Sequence, residues 1–277
     1  MVGACALACV VAASGRAHAQ DALPDGAGFD LHLFRPAVDS RGQFSVNGTD
    51  ILGAGSVSFG LVVDWGRGLA RRGTLVDGAQ RTLNAPLVTD MFSGLLQANY
   101  GIANRLVVGL QLPVHLVDGP GAMSTGGRIE PLAGYTPGNG GLSYQGFGSA
   151  GVHLKWRILR SERSPIGLAL LVQGAFPLQS GPSNFAGDPG FMLWPSLAAE
   201  WHPTSRFRLD LNAGYRHTFG RAATLAGTTW ASPITAGLGA SFRVGRALDL
   251  VGELYANSYT NNLFASASTP VEAVGGL

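Results

Sequence analysis

The chain has 277 residues, with 41 Gly, 15 Pro, 46% hydrophobic and only 13% charged side chains. Low charge with ample apolar content excludes a disordered chain, glycine without a three-residue period excludes collagen, and a net charge of +2 gives no footing for nucleic-acid binding. Glycines at this density weaken soluble helices by about 1 kcal/mol each, which leaves a β-rich chain unusually apolar for water.

Residues 1–14 read MVGACALACVVAAS, without a charged side chain, and Ala17-His18-Ala19 follows as an A-x-A site. Residues 1–19 are therefore expected to be a secretory signal peptide cleaved after Ala19, although no Lys or Arg precedes the apolar run. A lipoprotein reading would use Cys9 after Leu7-Ala8, with a very short leader. Cys5 and Cys9 are the sole cysteines, so the mature chain is expected to hold no disulfide and no thiolate metal site. Residues 20–50 are polar and Gly-rich, with one apolar patch at 29–34. This segment could be a lead-in closing the base of a barrel, a plug or an extra strand; the lead-in is the expectation. Asn47-Gly48-Thr49 reads as a turn rather than a glycosylation site.

Period-two alternation then runs through the chain. Weaker strands are expected at 51–65 and 88–100. In 105–116, Leu106, Val108, Leu110, Leu112, Val114 and Leu116 alternate with Arg105, Gly109, Gln111 and His115. In 148–158, Val152, Leu154, Trp156 and Ile158 oppose Gly151, His153, Lys155 and Arg157. Strands at 165–178 and 191–202 follow. The clearest, 206–219, sets Phe207, Leu209, Leu211, Ala213, Tyr215 and Phe219 against Arg206, Arg208, Asp210, Asn212 and Arg216, with His217 the misfit. Strands at 234–244 and 248–259 precede a tenth near Pro270. The uncharged stretch 164–187 is no spanning helix, because Pro165, Pro177 and Pro182 interrupt it.

The connections alternate as well. Those at 66–85, 118–145, 179–190 and 220–232 are long, and those at 101–104, 160–164, 203–205 and 245–247 are short. Aromatic residues end the apolar faces, with Trp65, Phe176 and Phe219 toward the long loops and Tyr100, Trp156, Trp201, Phe207 and Phe242 toward the short turns. Short turns, long loops and two aromatic bands predict an all-β, transmembrane, antiparallel up-and-down β-barrel over 51–277, with about ten strands. A soluble β-sandwich also alternates, but it accounts for neither the leader nor the two aromatic levels.

The run Asp30-Leu-His-Leu-Phe-Arg-Pro36 after Phe29, with Ser56-Val-Ser-Phe-Gly-Leu61, resembles the N-terminal barrel region of OmpA-family envelope proteins of myxobacteria and relatives. Residues 104–113 (NRLVVGLQLP), 146–157 (GFGSAGVHLKWR) and 184–190 (NFAGDPG) are similar to the same family in order and spacing. A similar pattern occurs in outer-membrane transporters linked to aromatic-compound catabolism. The OmpA-family resemblance implies further strands, acidic repeats and a periplasmic peptidoglycan-binding domain. The chain stops at Val274-Gly-Gly-Leu277 without a terminal aromatic residue, so a C-terminally truncated sequence is expected, with about twelve strands in the complete barrel. The implied partners are outer-membrane lipid and lipopolysaccharide, the barrel-assembly machinery, and peptidoglycan through the further domain.

The inward face is expected to carry Arg105, His115, His153, Lys155, Arg157, Arg206, Arg208, Arg216 and Arg243. Its expected acids are Asp90, Glu200, Asp210, Asp249 and Glu253. Seven fixed positive charges against five negative ones make a slightly cationic lumen, either a ladder of ion pairs that fills the bore or a narrow anion-favouring pore. Most of the positives lie toward the short turns. No pair of histidines has metal-ligand spacing, and no nucleotide or hydrolase motif is present. His115, His217, Asp118, Ser124 and Ser180 lie near loops, but nothing in the sequence brings them together. No catalytic, cofactor or metal site is expected. The expected function is the membrane anchor of an OmpA-like envelope protein in the bacterial outer membrane; the alternative is a porin or small-solute channel.

Overall fold

The computed structural model describes residues 30–69, 73–76, 79–82, 86–120, 122–125, 128–131, 141–160, 164–178, 185–188, 190–220, 223–225, 228–246, 248–265 and 269–277. The expected signal peptide, Phe29, Ser180 and the side chain of Ser124 lie outside the described residues.

The described residues are all β, without helices. In chain order the strands are β1 (Val57–Leu69), β2 (Gly73–Val76), β3 (Ala79–Thr82), β4 (Val88–Ile102), β5 (Leu106–Gly119), β6 (Ala122–Thr125), β7 (Arg128–Pro131), β8 (Leu142–Phe147) and β9 (Ser149–Leu159). They continue with β10 (Ile166–Pro177), β11 (Met192–Thr204), β12 (Phe207–Tyr215), β13 (His217–Thr218), β14 (Ala223–Leu225), β15 (Thr228–Trp230), β16 (Pro233–Arg243), β17 (Asp249–Tyr259) and β18 (Val271–Gly276). Ten of them form one antiparallel meander, in the order β1-β4-β5-β9-β10-β11-β12-β16-β17-β18. This sheet is strongly curled into a half-barrel, and β1 and β18 are its two edges.

The pleat sorts the two faces as the alternation predicts. On β5 the even positions Leu110, Val114 and Leu116 are exposed, while Val107, Gly109, His115 and Val117 are buried. On β10 the outward Ile166 and Phe176 are exposed and the inward Ala169, Leu171 and Gln173 are buried. Direct pairing keeps one face together: Leu170 opposes both Trp156 and Leu197, and Gly167 opposes Glu200.

Several expected boundaries are corrected. The first strand begins at Val57, not at residue 51. A turn at 53–56, closed by the Ser56 N–H donating to the Gly53 carbonyl and with Gly55 at φ 76°, separates the strand from what precedes it. Ile51 and Leu52 instead pack against Val107 on the concave side. The expected strand at 206–219 is β12 plus β13, interrupted at Arg216, whose N–H donates to the Pro233 carbonyl. The long connections are not plain loops. Those after β1, β5 and β12 hold the two-stranded hairpins β2-β3, β6-β7 and β14-β15, and β8 extends the sheet on the outer half of β5. Local pairing gives these excursions a place for backbone donors and acceptors that the main sheet does not reach.

Candidate functional site

The concave face of the half-barrel is where the polar chemistry lies, and it is occupied by the chain's own residues 30–52. This segment has no regular secondary structure, so its backbone groups need partners from elsewhere. Inward side chains of the strands supply them. On β17, Glu253 accepts from the N–H groups of Phe44 (2.6 Å) and Ser45 (2.8 Å). Asn212 on β12 accepts from the Asn47 N–H at 2.7 Å and donates to the Asn47 carbonyl at 2.8 Å. Glu200 on β11 accepts from the N–H of Thr49 at 2.8 Å, and Gln97 on β4 donates to the Ala37 carbonyl at 2.9 Å.

The expected lumen residues divide into three groups. Lys155, fully buried on β9, holds the Asp39 carboxylate with contacts of 3.0 and 3.1 Å. Arg157 lies 3.6 Å from Asp50 and donates to the Asn104 carbonyl at 3.0 Å. His153 meets the Asn99 side-chain oxygen at 2.7 Å. Glu200 and Asp210 are directly opposed on β11 and β12, and both are buried. Like charges so placed repel, and each is compensated: Glu200 by Thr49 and His202, and Asp210 by Arg208 (ion pair at 2.9 Å) and Gln43. Arg216, buried at the long-loop side, lies 3.8 Å from Asp188. These residues lie on the concave face, around the segment.

A second group sits at the rim. Arg105 and Arg206 lie in short turns and are exposed, rather than filling the bore. Their backbone carbonyls accept from the N–H groups of Arg157 and Arg243 at 2.8 Å, which extends the β5–β9 and β12–β16 ladders to the short-turn end. Arg243 and Asp249 pair across the last short turn, with contacts of 2.9 and 3.3 Å, and remain solvent-accessible. The third group is a correction. Asp90 does not face inward, because it opposes Arg67 on β1 and accepts from the Trp65 indole N–H at 3.0 Å on the outer face.

Most of the partners that strand periodicity missed are in the N-terminal segment, namely Asp30, His32, Asp39, Gln43, Asn47, Thr49 and Asp50, with Asp64, Asp188 and His202 outside it. A signal for them existed. The expected inward faces held seven fixed positive charges against five acids, and Asp39 and Asp50 of the segment pair with two of those cations, Lys155 and Arg157.

Toward the long loops the segment makes a second polar cluster. His32 meets Asp64 of β1 at 2.6 Å, and its ring packs edge-on against His115 at 6.2 Å. Phe34 packs on Tyr255 of β17, which donates to Glu272 of β18. Residues 32–34 thus link β1 to the opposite end of the sheet. Asp30 pairs with Arg35. Burial pushes the Asp30 carboxyl up, but the charges of Arg35 and Arg216 more than offset this and hold it at about 2. The Ser93 hydroxyl meets His115 Nδ1 at 2.9 Å, whereas the carboxylate of Asp64 is on His32. Serine, histidine and acid therefore do not form one relay. Among the described residues, no group of three or more His, Cys, Asp or Glu is placed to hold a metal ion.

No family model matches the chain, and no curated protein matches it either.

Proposed function

We propose that this chain is an outer-membrane β-barrel whose bore is filled by its own N-terminal segment, acting as the membrane anchor of an envelope protein. The observation that carries the reading is the inversion of the two faces. Outward positions present Phe59, Leu61, Leu96, Leu110, Leu154, Leu197, Leu211, Leu238 and Leu254 as exposed side chains, with Phe59 82% exposed. Each such side chain left in water forgoes about 1.5–3 kcal/mol of burial, and a continuous belt of them has acyl chains as its natural solvent. Trp65 at one end, with Tyr100, Trp156, Trp201 and Phe242 at the other, are exposed on the same outer face, at the levels where aromatic girdles meet headgroups. Lys155, Asp210, Glu200 and Glu253 are buried on the other side.

In this reading the closed barrel forms when β1 and β18 are paired, directly or through further strands, since an open edge cannot persist in hydrocarbon. Lipid, lipopolysaccharide and the barrel-assembly machinery are its partners, and the OmpA-like resemblance adds peptidoglycan through a further domain. The filled concave face favours the anchor over an open porin. The channel reading keeps one observation of its own, a polar cleft of ≈ 410 Å³ at the short-turn end.

Planar-bilayer conductance separates the two readings, on protein shown to be folded by a heat-modifiable gel shift. An inserted but electrically silent barrel is the expected result. A stable unit conductance that changes with Arg208→Glu would replace the anchor with a channel.

A further inference from the structure

We infer that the cleft at the short-turn end of the concave face is a binding site for phosphate-bearing anions. It lies between the 40–43 turn of the N-terminal segment, the β11–β12 turn and the ends of β16 and β17, and its volume is ≈ 410 Å³. Arg41, Arg206, Arg208 and Arg243 line it against two acids, Asp50 and Asp249.

The pairing within the cleft decides which charges are available. Asp249 is held by Arg243, Asp50 lies against Arg157, and Asp210 beneath the floor is held by Arg208 and Gln43. Arg41 and Arg206 are left exposed, with no acidic partner among the described residues. They stand on separate chain segments, one on the N-terminal segment and one on the sheet. Ser40, Ser205 and Ser241 add hydroxyl groups to the same lining. Guanidinium groups with nearby hydroxyls are the donor set for tetrahedral oxyanions: the planar fork gives two parallel N–H bonds, and the charge strengthens them. The volume exceeds that of one inorganic phosphate and falls in the range of small-ligand sites. The occupant is therefore a phosphate ester or a polyphosphate that bridges the segment to the sheet. A soluble phosphate and a phospholipid headgroup share this chemistry.

The site does not depend on the membrane reading, because its residues belong to turns and strand ends. The test is isothermal titration of refolded full-length protein, with its β-sheet fold checked by far-UV circular dichroism. Inorganic pyrophosphate and glycerol 3-phosphate serve as probes, at about 0.15 M salt so that diffuse attraction is screened. Saturable binding is expected, weakened at least tenfold by Arg206→Glu and by Arg41→Glu and unchanged by Arg105→Glu, an exposed arginine outside the lining. Tighter binding of pyrophosphate identifies a soluble phosphate, and tighter binding of glycerol 3-phosphate identifies a headgroup. Absence of saturable binding by folded protein overturns the site, as does equal loss with Arg105→Glu. Pyrophosphate affinity insensitive to both Arg41→Glu and Arg206→Glu would also overturn it.

Discussion

Lys155 is among the largest fully buried side chains of the described residues, and its ammonium rests on the equally buried carboxylate of Asp39. Removing one member of such a pair strands a charge away from water, at a cost of about 3–5 kcal/mol. Asp39→Asn should therefore lower the urea midpoint of the refolded protein sharply, and Lys155→Met on top of it should recover much of the loss. Failure of the double variant to recover would mean that the pair acts through packing rather than charge. Asp30 makes a different prediction. Its carboxyl titrates at about 2 when folded, below the ordinary 3.8, so the unfolded chain takes up the proton first. The stability it contributes is complete above about pH 4 and is lost as pH falls toward 2. Acid titration of unfolding should show this loss in the wild type and not in Asp30→Asn. The inward position of Lys155 was legible from strand parity alone. Its partner was not, because Asp39 lies in a segment without periodicity, 116 residues away.

At the scale of elements, the strands were legible because each is half apolar, and the pleat turns that alternation into two faces. Where the expectation failed, a local device overrode the pattern. Gly101 shows how tightly the N-terminal segment is seated against β4: a Cβ there would stand 2.1 Å from the Gly53 carbonyl oxygen. Gly94 on the same strand has nothing within 4 Å of its Cβ position. Gly101→Ala should thus displace residues 52–53 and reduce the heat-modifiable fraction on refolding, while Gly94→Ala should fold like the wild type. Equal yields for the two would show that the segment is not seated on β4 in solution. The hairpins in the long connections were not legible. Their strands are only three or four residues long, too short for alternation to separate from chance.

For the molecule as a whole, the sheet order follows the chain order, so alternating connection lengths were enough to predict the meander. Charge placement was only half legible. Two inward cations, Lys155 and Arg157, find their acids Asp39 and Asp50 in residues 30–52, which sequence periodicity could place only as a lead-in, plug or strand. The central claim is that the convex face contacts acyl chains while the concave face is filled by protein. It is tested most directly by spin labels at successive positions of β5, with Cys5 and Cys9 replaced by Ser and the protein refolded into phospholipid vesicles. Labels at Leu110, Leu112 and Val114 should collide with oxygen and be shielded from aqueous nickel, and labels at Gln111 and His115 should be shielded from both. A label at Leu110 or Leu112 open to aqueous nickel, with no period-two contrast along the strand, would contradict it.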